Sequence, residues 1–103
     1  MKSFFLCSLK DLKKQKTMTK WAGPFKDELT VIFKDGAITV FSSICPHFGG
    51  EFNIDLKNLK ASCCWHGYEF DLSSGKCLSF SNCSPLRFYP FLINHGDIEV
   101  FFP

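Results

Sequence analysis

No stretch of the sequence approaches the ~18 consecutive apolar residues of a membrane-spanning helix, so no membrane partner is expected. The amino terminus, MKSFFLCSLKD, carries a lysine and an apolar patch of only four residues, Phe4 to Cys7. The apolar region of a secretion signal runs to roughly 7–15 residues. The patch therefore reads as a first strand, and a cytoplasmic, reducing location is expected. In such a compartment six cysteines do not form a disulfide framework. Free thiols or a metal site are the better readings. There is no internal repeat, linker or low-complexity tail. Charge of one sign is not in large excess, the net being +2, but it is uneven. Residues 1–26 hold seven lysines against Asp11 alone, and the remainder is net acidic. No nucleic-acid motif accompanies the lysines, so they read as a solvated face and no nucleic-acid partner is expected. Histidine is scarce, with three in the chain.

What is present suits one β-rich domain spanning residues 1–103, nearly half of it apolar and including thirteen phenylalanines. ELTVIFK (28–34) and AITVFSS (37–43) are rich in β-branched and aromatic residues, and Asp35-Gly36 between them is a two-residue hairpin signal. Phe88 to Ile93 and Ile98 to Phe102 suggest a second hairpin turning at Gly96, with Pro90 marking an edge or bulge. Ser3 to Ser8 is a shorter strand, and DLSSGKC (71–77) turns at Gly75. Residues 8–27 read as a polar loop, with a weak helical stretch over Leu9 to Lys16.

The chemistry concentrates in ICPHFGG (44–50) and CCWHGYEF (63–70). Cys45-x-His47 is followed after fifteen residues by Cys63-x-x-His66. Thiolate and imidazole together suit a tetrahedral zinc or an iron–sulfur centre, and the spacing alone leaves both open.

Beyond the spacing, Cys45-Pro46-His47-x-Gly49-Gly50 and Cys63-x-Trp65-His66-Gly67-x-x-Phe70-Asp71-x-x-x-Gly75 closely resemble the two cluster-binding loops of Rieske [2Fe–2S] proteins. Leu9 and Leu12 near the start and the closing PLRFYPFLINHGDIEV extend the resemblance over most of the chain. It implies an all-β fold, a Rieske-type antiparallel β-sandwich with a small cluster-binding subdomain made of two loops, about 44–51 and 63–72. It also implies one [2Fe–2S] cluster, with Cys45 and Cys63 as thiolates on the inner iron and His47 and His66 as ligands of the outer, electron-accepting iron. Gly49, Gly50 and Gly67 would let backbone N–H groups approach the cluster, Pro46 would stiffen the first loop, and Trp65 and Phe70 would pack behind the second.

Rieske proteins of respiratory and photosynthetic complexes bridge their loops with two further cysteines. In that register this chain has Gly50 and Trp65, which cannot form the bridge. Where those proteins place a Ser and a Tyr that donate to the cluster, this chain has Tyr68 and Phe70. Fewer donors imply a potential near the low end of the Rieske range. His95 is the only remaining histidine, so the two-His-one-carboxylate iron of an oxygenase large subunit is not expected.

The resemblance is closest to soluble Rieske-type ferredoxins, monomeric when free. It implies a non-enzymatic electron carrier from a ferredoxin reductase to a terminal oxygenase or related enzyme, docking through His47, His66, Phe48, Trp65 and Tyr68. A small non-catalytic Rieske subunit of a larger oxidoreductase is the alternative, and a zinc module a minor one. Cys7 is expected to be buried and His95 exposed in its turn. Cys77 and Cys83 flank a serine-rich loop, where a disulfide is possible but disfavoured by cytosolic conditions. Cys64 occupies a position where the family commonly has proline, beside the expected ligand Cys63.

Overall fold

Nine strands and one short α-helix make up the fold among residues 3–43, 52–63, 68–79 and 84–101, which the computed structural model describes. The strands are β1 (Ser3–Ser8), β2 (Thr17–Ala22), β3 (Asp27–Lys34), β4 (Ala37–Ser42), β5 (Phe52–Asp55), β6 (Lys60–Cys63), β7 (Glu69–Asp71), β8 (Phe91–Asn94) and β9 (Asp97–Phe101). The helix α1 covers Leu9–Gln15. They form three antiparallel three-stranded sheets, ordered β1-β9-β8, β2-β3-β4 and β5-β6-β7. Among the described residues no helix is long and apolar enough to cross a membrane.

The central sheet explains the apolar run in β3. Leu29, Val31 and Val40 face one core with Leu6, Cys7, Leu12, Ile98 and Val100. Ile32 and Phe41 face a second core with Ala61, Cys63, Phe70, Leu72, Cys77 and Leu86. A strand covered on both faces reads as a near-continuous apolar run. Hairpin β3–β4 turns as expected, with Asp35 at φ 52° and Gly36 at φ 82°. The β8–β9 turn repeats this at His95 (φ 52°) and Gly96 (φ 82°), and His95 is exposed. A bulge in β1 between Phe5 and Cys7 turns both Leu6 and Cys7 inward.

Three differences from the sequence reading have physical causes. Residues 17–22, read as loop, are strand β2. This is an edge strand, so its outer positions need not be apolar. Lys20 stands where an apolar residue would be sought, its ammonium 5.3 Å from the centroid of Phe4 and 4.9 Å from that of Phe5. The strand expected to start at Phe88 begins at Phe91. Phe88 makes an isolated bridge to Phe41 instead, and Pro90 precedes the edge strand β8. The short strands β5, β6 and β7 carried too little alternation to be read. The weak helix over Leu9 to Lys16 does form. The Ser8 hydroxyl accepts from the Asp11 N–H at 3.2 Å, and Leu12 is fully buried.

Candidate metal centre

The two cysteine- and histidine-bearing segments meet the described fold at neighbouring points. Residues 44–51 lead directly into β5 at Phe52, and residues 64–67 leave β6 directly after Cys63. Phe52 and Cys63 are cross-strand partners in the antiparallel β5–β6 pair. The ends of both segments are therefore held at one end of the small sheet. On either side of the second segment, the Cys63 N–H donates to the Tyr68 carbonyl at 2.8 Å.

Cys63 is a free thiol, 2% exposed, in the second core. Phe70 lies on the same sheet, opposite Ala61, and its ring meets that of Phe52 edge-on at 5.5 Å. Phe70 is fully buried, so its expected packing role holds. Tyr68 is half-buried and rests against this core rather than standing free. A free thiol on a paired strand, walled by apolar side chains and next in sequence or pairing to both Cys/His segments, fits a thiolate ligand of a metal cluster. Cys45, Pro46, His47, Phe48, Gly49 and Gly50 in the first segment, and Cys64, Trp65, His66 and Gly67 in the second, lie outside the described residues.

The first segment departs from a strongly tied base. The Ser42 N–H donates to the Arg87 carbonyl at 2.9 Å and the Ser43 N–H to the Glu28 carbonyl at 2.7 Å. Asp27, 3% exposed, accepts from the Ser42 hydroxyl at 2.9 Å, the Tyr89 hydroxyl at 2.6 Å and the Glu28 N–H at 2.8 Å. Burial, and then its bond to Asp27, pushes the Tyr89 phenol above its ordinary value. The sequence reading missed this group, because its members are far apart in the chain and form no motif.

The other cysteines divide. Cys7 is buried and free, and burial pushes its thiol up. Cys77 is disulfide-bonded, contrary to the free thiols expected of a reducing compartment, and Cys83 lies outside the described residues.

Comparison with known proteins places the chain in a family. A family model for the Rieske [2Fe–2S] domain matches residues 2–90. The plasma membrane Rieske protein PetC3 of Synechocystis PCC 6803 is similar over 96% of this chain and 99% of its own, at 26% identity and a TM-score of 0.80. The Sphingomonas yanoikuyae B1 ferredoxin is similar over 99% and 100%, at 23% identity and a TM-score of 0.80. A structure of reduced oxygenase with oxidized ferredoxin in carbazole 1,9a-dioxygenase contains a chain similar over 95% and 91%, at 17% identity and a TM-score of 0.77. Cholesterol 7-desaturase of Caenorhabditis elegans is 35% identical over 48 residues, which are 44% of this chain and 11% of that protein. The cofactor of the matched domain is a [2Fe–2S] cluster. By that match over nearly its whole length, the chain belongs to the Rieske [2Fe–2S] domain family.

Proposed function

We propose that the protein is a Rieske-type ferredoxin, a one-electron carrier that takes electrons from a reductase and delivers them to a terminal oxygenase or related redox enzyme. The observation that carries this reading is the Phe52–Cys63 pairing, which joins the ends of both Cys/His segments at one end of the small sheet. In this reading the Cys45 and Cys63 thiolates hold one iron of the cluster, and one ring nitrogen each of His47 and His66 holds the other. The bound cluster supplies reversible one-electron chemistry. The chain excludes water from the thiolate side with Phe52, Ala61, Phe70 and Leu72, which pack in the same core as Cys63.

Partners dock over His47, His66, Phe48, Trp65 and Tyr68, and the protein acts as a monomer. The complex of ferredoxin with oxygenase in carbazole 1,9a-dioxygenase supports this kind of partner. Redox titration of the purified protein tests the reading. Two irons, two sulfides and uptake of one electron per chain are expected. A colourless protein with one zinc overturns it. Phe48→Ser is expected to slow electron delivery to the oxygenase with the cluster spectrum intact, and an unchanged rate rejects docking through Phe48.

A further inference from the structure

We propose that Asp27 is a positioning residue for the first ligand-bearing segment, acting through Ser42. The inference rests on the reading of residues 44–51 as the segment that holds Cys45 and His47.

A carboxylate that is 3% exposed is costly to keep unless its oxygens are satisfied. Asp27 receives a set of bonds that only an acceptor can answer. Its Oδ1 accepts from the Glu28 N–H at 2.8 Å and the Ser42 hydroxyl at 2.9 Å. Its Oδ2 accepts from the Tyr89 hydroxyl at 2.6 Å and faces the Arg87 Nη1 at 3.8 Å. The Arg87 side chain is 71% exposed, so solvent screens that ion pair and the hydrogen bonds dominate. Each donor comes from an element that is itself fixed. The Tyr89 ring stacks on Phe25 with centroids 5.7 Å apart, and its N–H donates to the Val40 carbonyl at 2.9 Å.

Ser42 is the last residue of β4, and only Ser43 separates it from residues 44–51. Thr30 and Ser43 share a short, buried hydroxyl–hydroxyl bond one residue further on. Asp27 thus joins the start of β3, the end of β4 and the segment around Tyr89, two residues before the segment that holds two expected ligands. Packing alone would be served by an apolar residue here. A hub of directional bonds at this point fixes the direction in which the chain leaves the sheet. The carboxylate is also a buried negative charge, and a buried charge is screened less than an exposed one.

The two effects separate by mutation. Ser42→Ala and Tyr89→Phe each remove a hydroxyl that donates to the Asp27 carboxylate and leave its charge. Asp27→Asn removes the charge and presents an amide N–H₂ to a donor. Iron content, the electron paramagnetic resonance line shape of the reduced protein and the midpoint potential are measured for the parent and all three variants. Ser42→Ala is expected to keep two irons and change the line shape, and Asp27→Asn is expected also to raise the midpoint. If Asp27→Asn does not fold, the line shapes of the other two decide. Line shapes unchanged in every folded variant overturn the positioning role, even where Asp27→Asn moves the midpoint, because a charge effect needs no tie to Ser42. A parent protein without iron overturns the cluster reading and this inference together. A parent with two irons and unaltered variants overturns this inference alone.

Discussion

Phe70→Ala probes the apolar wall on the small sheet that bears Cys63. Phe70 has no exposed surface, pairs with Ala61 across β6–β7 and meets the Phe52 ring edge-on at 5.5 Å and 89°. Truncating a fully buried Phe costs about 3–5 kcal/mol, from lost transfer energy and the cavity left behind. The aromatic pair accounts for roughly 0.5–1.5 kcal/mol of interaction beyond area burial. Against a total stability of about 5–15 kcal/mol, this is a large fraction. For a domain near this size each kcal/mol moves the thermal midpoint by about 4–8 °C, so a fall of roughly 12 °C or more is expected. The iron-loaded protein is melted at one fixed scan rate, followed by far-UV circular dichroism and by visible absorbance. Because Cys63 shares this core, both signals are expected to fall together. Leu92→Ser is the control. Leu92 is 56% exposed on the edge strand β8, and about 0.5 kcal/mol or less is expected there. A Phe70→Ala midpoint no lower than the control's refutes the reasoning, as does visible colour outlasting the fold.

Other perturbations address individual groups. Cys63→Ala is expected to abolish the two-iron absorption and Cys64→Ala to preserve it, with iron analysis as the check; the reverse result would make Cys64 the ligand. With Phe70 supplying no hydroxyl, the midpoint is expected near the low end of the Rieske range, about −150 mV, and a reversible midpoint above about +100 mV in protein-film voltammetry contradicts this. Tyr89 ties stability to alkaline pH. Its folded-state pKa is raised by burial and by Asp27, so its contribution is complete below the ordinary tyrosine value of about 10 and is lost as pH rises through the raised one. Denaturation from about pH 9 upward is expected to show a steeper loss for the parent than for Tyr89→Phe, and parallel curves would deny the linkage.

The sequence announced the hairpins because their turns need unusual backbone conformations. Asp35-Gly36 and His95-Gly96 adopt the positive φ values for which glycine in the second place is a clear signal. It announced Cys7 as buried and Phe70 as packing, both through residue type. Strand β2 was hidden because Thr17, Thr19, Lys20 and Trp21 are exposed on both sides of it, and such an edge carries no apolar alternation. Strands β5 to β7 were hidden because three or four residues are too few to show a period, and their order comes from pairing across turns. The Cys/His spacing was legible as a motif. The Asp27 hub was not, since Asp27, Ser42 and Tyr89 are brought together only by the folded sheets.

The central claim is mixed ligation of one two-iron cluster by Cys45, Cys63, His47 and His66. Pulsed electron paramagnetic resonance of the reduced protein tests it most directly, because a nitrogen bound to iron couples to the unpaired electron. The account predicts two strongly coupled imidazole nitrogens, one lost in His47→Ala and the other in His66→Ala. A two-iron signal without such nitrogen couplings, or nitrogen couplings unaffected by both substitutions, would contradict it.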